Sequence, residues 1–376
     1  MMKKTILFLI VPLQILFSQE KSRFIYNKET VFISNNKTLE IESFIEQKKE
    51  IAYSKNISEY TIAIPFDNFN EISNIKGSTF NTKKNKSTTL YQSYISTHDE
   101  KSEEIFHSDN KFKYFVFPEV DDKSVVEFSY KNKQKEPRLL SSFRFQNGLK
   151  SDYSKFQIKT SSSIKIGFKL FGNFQDKIVF TKTTEGDLDV YTWEAKDIPA
   201  FENEESSPNV NYFLPHIVYY IKSYQKDQAQ IEILSDIKDL YQWYFSLVKN
   251  INTTDQTELK TKTLELIKND KTKIEKAKSI YNWVQQNVHY VAFEDAMGGF
   301  IPRDAGEVFK KKYGDCKDMA NLLNEMLKYS EIQSNLAWIG TRDKPYKYED
   351  IPTPNVDNHM ITAIEIEGKR FFFRCN

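Results

Sequence analysis

"KKYGDCKDMANLLNEMLKYS", Lys311 to Ser330, contains a loop that turns into a helix and one of the two cysteines of the chain. Tyr313-Gly314 breaks the helix that precedes it. Asp315 is a good N-cap, and Asp318, three residues on, sits where the reciprocal partner of a capping box belongs. Met319, Leu322, Leu323, Met326 and Leu327 recur at i, i+3, i+4, i+7 and i+8, so one face of the helix is anchored in a core. Cys316 therefore occupies the first helical turn. Unpaired N–H groups and the positive end of the helix dipole favour a thiolate there, and a free N–H can also receive an oxyanion forming beside the sulfur. Asp315 and Asp318 oppose the thiolate, and Lys317 offsets them in part. A cysteine nucleophile and a small buried thiol are the two readings of this position.

Upstream, the hydrophobic period remains helical as far back as Asp236. Residues 236–249 and 255–268 read as helices. So does "TKIEKAKSIYNWVQQNV", where Thr272 and Glu275 form a Thr-x-x-Glu capping box. Ile274, Ala277, Tyr281, Val284 and Val288 fall on one face of it. "HYVAFEDAMGGFIPRDAG" is an extended stretch with a glycine loop, and 305–311 is a short helix.

Downstream, "HMITAIEI" alternates, Glu367-Gly368 offers a turn, and "KRFFF" is β-prone, which predicts a hairpin whose first strand begins at His359. A histidine at a strand end, close to a helix-borne cysteine, can take the thiol proton and later protonate a leaving amine.

From about Ser22 to Asp236 the period is two. "EYTIAIPF", "SVVEFSY", "KFQIKT", "SIKIGFKLF", "KIVFTKT" and "LDVYTWEA" alternate apolar with polar residues, and a hairpin is expected around Glu185-Gly186-Asp187. Short strands at this spacing predict a sandwich-like antiparallel assembly with one face buried and one solvated. "NTKKNKSTT" and "STHDEKSEE" read as long loops. No chemical constellation stands in this half.

The first residues, "MMKKTILFLIVPLQILFSQEKS", have the charged, apolar, small-residue order of a secretory signal peptide, assigned to 1–18. The expected mature protein is exported, periplasmic or extracellular, with no transmembrane segment, since no later run approaches the ~20 apolar residues of a membrane span. With 53 basic and 52 acidic residues, nothing attracts nucleic acid. Two cysteines make no disulfide framework. None of the five histidines (98, 107, 216, 289 and 359) stands in HExxH or CxxC company, so no metal and no cofactor are expected.

"KAKSIYNWVQQNVHY", "GGFIPRDAGEVFKKKYGDCKDMANLLNEML" and "NHMITAIEIEGKRFFF", in this order, resemble the transglutaminase-like core of bacterial exported proteins. The β-rich region with "YTWEAKDIPAFENEESSPN" is similar to a domain of unknown function that often precedes that core. The resemblance implies an α+β fold: a β-rich domain over 19–235, then a papain-like core over 236–376 with helices packed on an antiparallel sheet. It implies Cys316 as nucleophile and His359 as base, acting on carboxamides of proteins or peptides, cell-envelope ones included, by acyl transfer or hydrolysis. Trp283 and Tyr290 are available to line an oxyanion site, without assignment. The family's third residue, an Asp on the strand after the His, is missing. With a two-residue turn at Glu367-Gly368, 361 pairs with 374, and the residue there is Arg374, a cation that opposes protonation of His359. Asp357 is a poor substitute because it points alongside the ring. A one-base shift in the codons after the phenylalanine run would replace an expected Asp-Ala-Thr by Arg374-Cys375-Asn376. The expectation is a frameshifted, incomplete core. The alternative to an enzyme is an impaired binding or scaffold protein that keeps the fold.

Overall fold

The computed structural model describes residues 21–36, 38–100 and 105–374. The signal-peptide assignment and the last two residues of the tail, Cys375 and Asn376, lie outside them. The N-terminal part is built on an eight-stranded sheet. In sequence ranges its order is Val179–Glu185, Leu188–Ile198, Lys150–Ser161, Arg23–Asn35, Leu39–Glu50, Val125–Gln134, Asn70–Asn81 and Lys86–Thr89. Neighbours are antiparallel except Arg23–Asn35 with Lys150–Ser161. One face carries the core. Val31, Ile33, Phe156, Ile158 and Trp193 pack under a smaller sheet centred on His216–Lys226. Ile51, Val126 and Phe128 pack under a three-stranded sheet that contributes Ile64 and Phe115. Val179–Glu185, at one edge, is exposed throughout. This is the sandwich-like arrangement that alternation predicts, each strand turning one side chain in two inward.

Two expected loops are partly strands. Asn81 pairs with Lys86 across a tight turn, and Ser96–Asp99 pairs with Lys111–Val116. Both are polar because they lie at sheet edges, where neither face is deeply buried, so their composition resembles that of a loop.

Among the described residues five α-helices follow: α1 Ile237–Val248, α2 Thr257–Leu266, α3 Lys273–Asn287, α4 Ala305–Lys311 and α5 Cys316–Tyr329. Asp236 caps α1, and Thr272 with Glu275 forms the expected box on α3. The stripe of α5 is wholly buried, against Ala277, Ile280 and Val284 of α3 on one side and Ile364 and Ile366 on the other. Those two isoleucines belong to His359–Ile366, the middle strand of the antiparallel sheet Ser334–Ile339, His359–Ile366, Lys369–Phe373. Ile366 pairs with Lys369, so Glu367-Gly368 is a two-residue turn. Both turn residues have positive φ (52° and 74°), the combination a tight hairpin requires and glycine adopts freely.

The helical part is set into the sandwich as well as joined to it. Leu240, Trp243 and Tyr244 of α1, with Ile351 and Val356 from the segment leading to His359, belong to the same buried cluster as Trp193 and Ile217. His216, fully buried, is held by Leu214 O and by the Tyr346 hydroxyl, each at 2.7 Å. It is a tether between the two parts. Among the described residues no helix is long and apolar enough to cross a membrane.

Candidate active site

Cys316 is the first residue of α5, and the turn beneath it is locked. The Asp315 carboxylate accepts from the N–H groups of Lys317 and Asp318, and the Asp318 carboxylate accepts from Asp315 N–H. Asp318 is also tied to Arg303, whose Nε and Nη2 donate to Oδ2 at 3.0 and 2.7 Å and whose backbone N–H donates to Oδ1 at 2.8 Å. That guanidinium lies against both the Phe293 and Tyr313 rings, which stack on each other. Gly314 is required by this closeness: a Cβ there would stand 2.6 Å from Asp318 Cβ. Lys317 Nζ, also buried, is fixed to Asp315 and to Phe293 O. The capping box consumes the N–H groups of Lys317 and Asp318 and leaves that of Cys316 itself as the nearest first-turn donor to an oxyanion.

His359 opens its strand opposite Ile339 and is 8% exposed. Its Nε2 is buried without a hydrogen-bond partner. Met360 N–H, one residue on, donates to the Cys316 sulfur, and Thr362 Oγ1 donates to Ala320 O at 2.8 Å, so this strand is fastened along the start of α5. Cys316 and His359 line one cavity of ≈ 500 Å³, walled on the other side by Phe69, Asp109, Leu139 and Ser141 of the β-rich part. An unpartnered imidazole nitrogen in a cavity shared with a thiol is an arrangement that can move a proton between them.

The electrostatics correct one expectation. Burial, then Asp315, push the Cys316 thiol above its ordinary value, and the Met360 and Lys317 contacts only partly oppose this. Desolvation of the charged form outweighs the helix terminus, because the turn that supplies the dipole is itself packed with carboxylates. His359 is pushed down by burial and then by Arg374. Both shifts favour a neutral thiol and a neutral imidazole over the ion pair. Alkylation of Cys316 by iodoacetamide is therefore expected to rise steadily with pH through and beyond the ordinary thiol range of about 8.5. A plateau already reached at pH 5–7 would instead reveal a resting thiolate–imidazolium pair.

The residues around the pair also differ from expectation. Asp357 lies before the His359 strand, at the end of a short 3-10 turn, and its carboxylate accepts from the hydroxyls of Tyr244 and Tyr348. It is occupied by tyrosines and does not orient the ring. Tyr244 stacks on Trp338 at 4.3 Å, and both line the cavity. Sequence reasoning passed over them because their partner, Asp357, is distant in the chain. Trp283 packs on Phe309 and Lys312, and neither it nor Tyr290 is among the cavity-lining residues. Arg374 is exposed at the end of the last strand, and Tyr281 donates to its carbonyl. Among the described residues no group of His, Cys, Asp or Glu is placed to hold a metal ion.

Comparison with known proteins agrees with this architecture. Residues 41–202 match the model of a domain of unknown function (DUF3857), and residues 260–373 match that of the transglutaminase-like superfamily core. The chain carries a transglutaminase-like core behind a DUF3857 domain. The crystal structure of a "putative protease" from Parabacteroides distasonis superposes with a TM-score of 0.72 at 16% identity, over 95% of this chain and 67% of that one, which shows a shared fold. A "putative cysteine protease" from Cytophaga hutchinsonii is matched at 11% identity over 89% of this chain and 75% of that one, with a TM-score of 0.25, too low to bear on fold or chemistry. No curated protein matches the chain.

Proposed function

We propose that Cys316 and His359 are the nucleophile and base of an exported acyl-transfer or amide-hydrolysing protein that acts on carboxamides of peptides or proteins. The observation that carries this reading is the buried, unpartnered Nε2 of His359 in the cavity that Cys316 lines. His359 Nε2 takes the thiol proton as the sulfur attacks the amide carbon. The oxyanion formed is received by Cys316 N–H, the C–N bond breaks, and the leaving amine or ammonia takes the proton from the imidazolium. Water or a second amine then gives its proton to His359, attacks the thioester carbon and releases the thiol. Starting from a neutral pair, the proton moves only as the substrate arrives.

A second reading, a scaffold that keeps the fold with weakened chemistry, is favoured by Arg374, which opposes the imidazolium that the mechanism needs, and by the occupation of Asp357. One experiment separates the two. The protein is incubated with envelope proteins or cell-wall peptides, and Cys316 is searched for an acyl adduct by mass spectrometry. The enzyme reading expects an adduct that is absent from Cys316→Ala, slowed in His359→Ala by about 100-fold or more, and formed faster in Arg374→Asp. No adduct in the parent chain together with one in Arg374→Asp would support the scaffold.

A further inference from the structure

The strand Arg23–Asn35 carries an acid where the alternation calls for a core residue. Glu29 stands directly opposite Ile45 and Phe156, both buried, and so faces into the sandwich. Ser43, on the same face, is close enough to favour its charged form, and Tyr130 and Tyr219 lie near enough to feel its charge. No lysine or arginine is paired with it among the described residues. A carboxylate buried without a cation is costly, and cores are not ordinarily built that way.

The acid is not sealed in. It is partly accessible and lines a cavity of ≈ 470 Å³ together with Asn27, Gln47, Tyr130 and, at the mouth, Arg144. Gln47 Nε2 donates to Asn27 Oδ1 at 2.9 Å, so the floor is polar and ordered. The exposed Arg144 guanidinium is engaged with Asn211, through Nη2 at 2.8 Å. Ser141 and Asn355 line both this cavity and the one that holds Cys316 and His359. The two spaces are neighbours across a shared rim.

From this placement we infer that the Glu29 cavity is a subsite for a cationic side chain, the ammonium or guanidinium of a residue flanking the amide that Cys316 attacks. The inference rests on the Cys316–His359 cavity being a place where peptide substrates bind, and it adds a specificity that the β-rich part supplies. An extended peptide crossing Ser141 and Asn355 would seat its side chain between the Asn27–Gln47 pair and Tyr130, with the cation against Glu29. The geometry has a support in its electrostatics: burial raises Glu29 to about 7. Tyr130 and Tyr219, held above the ordinary phenol value by burial, stay neutral in that range. Binding of a cation therefore strengthens as pH rises through about 7 and Glu29 ionises.

The test is binding of N-acetyl-lysine methylamide and its norleucine analogue, which lacks only the charge, to the full chain by calorimetry or NMR titration. N-acetyl-arginine methylamide distinguishes ammonium from guanidinium. At pH 8 the tighter of the two cationic ligands is expected to bind roughly tenfold better than norleucine. That advantage should shrink below pH 6 and be lost in Glu29→Gln. Equal binding of cationic and neutral ligands, an advantage that survives Glu29→Gln, or no saturable binding of either cation at millimolar concentration overturns the subsite. The pH series is run on the unmutated chain, so it stands even if the variant folds poorly. Binding needs no thiol: a chain that never acylates Cys316 can still bind lysine selectively, and one that acylates normally can still fail here.

Discussion

Replacing Arg303 with Leu is expected to destabilise the transglutaminase-like core by about 3 kcal/mol. Asp318, 1% exposed, would be left as a buried carboxylate without its cation. The loss lies at the low end for a broken buried pair because the backbone N–H groups of Arg303 and Asp315 still donate to it. Lost with the guanidinium are its bond to Tyr313 O at 3.1 Å and its contact with two rings. A shifted urea midpoint at unchanged slope measures the effect. Adding Asp318→Asn should recover part of it, since neutralising the orphan removes the largest penalty. The first turn of α5 should also open, so Cys316 in Arg303→Leu is expected to be alkylated faster than in the parent. A cost below about 0.5 kcal/mol would mean that the pair is only surface-like.

Glu29→Gln is expected to act in the opposite direction, with an effect that builds up as pH rises from about 4.5 to about 7. The folded state holds the Glu29 proton up to about 7, against an ordinary 4.5. The sign follows from proton linkage. The group contributes fully below about 4.5, and its contribution is lost as pH rises through about 7, where the buried acid is forced to ionise. The accumulated penalty is on the order of 3 kcal/mol, and glutamine, isosteric and neutral, escapes it. Unfolding free energies of parent and variant should coincide near pH 4 and diverge towards pH 8. A difference that stays constant over this interval would show that Glu29 is hydrated in the folded protein.

The parts of the structure that sequence reasoning recovered are those whose causes are local. The Asp315–Asp318 box, the stripe from Met319 to Leu327 and the Glu367-Gly368 turn each depend on residues within eight positions of one another, and each is present. The contacts that decide the site are not local. Arg303 and Asp318 meet across fifteen residues, and Tyr244 reaches Asp357 across more than a hundred. No periodicity announces such pairs. The strands Arg23–Asn35 and Leu39–Glu50 escaped notice for a related reason. Asn27, Glu29, Ser43 and Gln47 on the inward face interrupt the apolar alternation by which strands are found. The thiol's charge state was misjudged because a helix terminus can be read from sequence, whereas the burial that outweighs it cannot.

Ile351 and Val356, on the approach to His359, are embedded in the core of the β-rich part, as are Leu240, Trp243 and Tyr244 of α1. For recombination between relatives this has a specific consequence. A crossover placed in the Ser235–Asp236 link looks harmless on the chain, yet it would set five side chains of one parent into a core shaped by the other. Viable chimaeras should therefore inherit from the donor of the β-rich part the first helix, the 351–356 segment and also residues 292–300, which pair with 105–108 and pack Met297 and Phe300 on the same core. The seam along which evolution or an engineer can cut runs through the transglutaminase-like part itself.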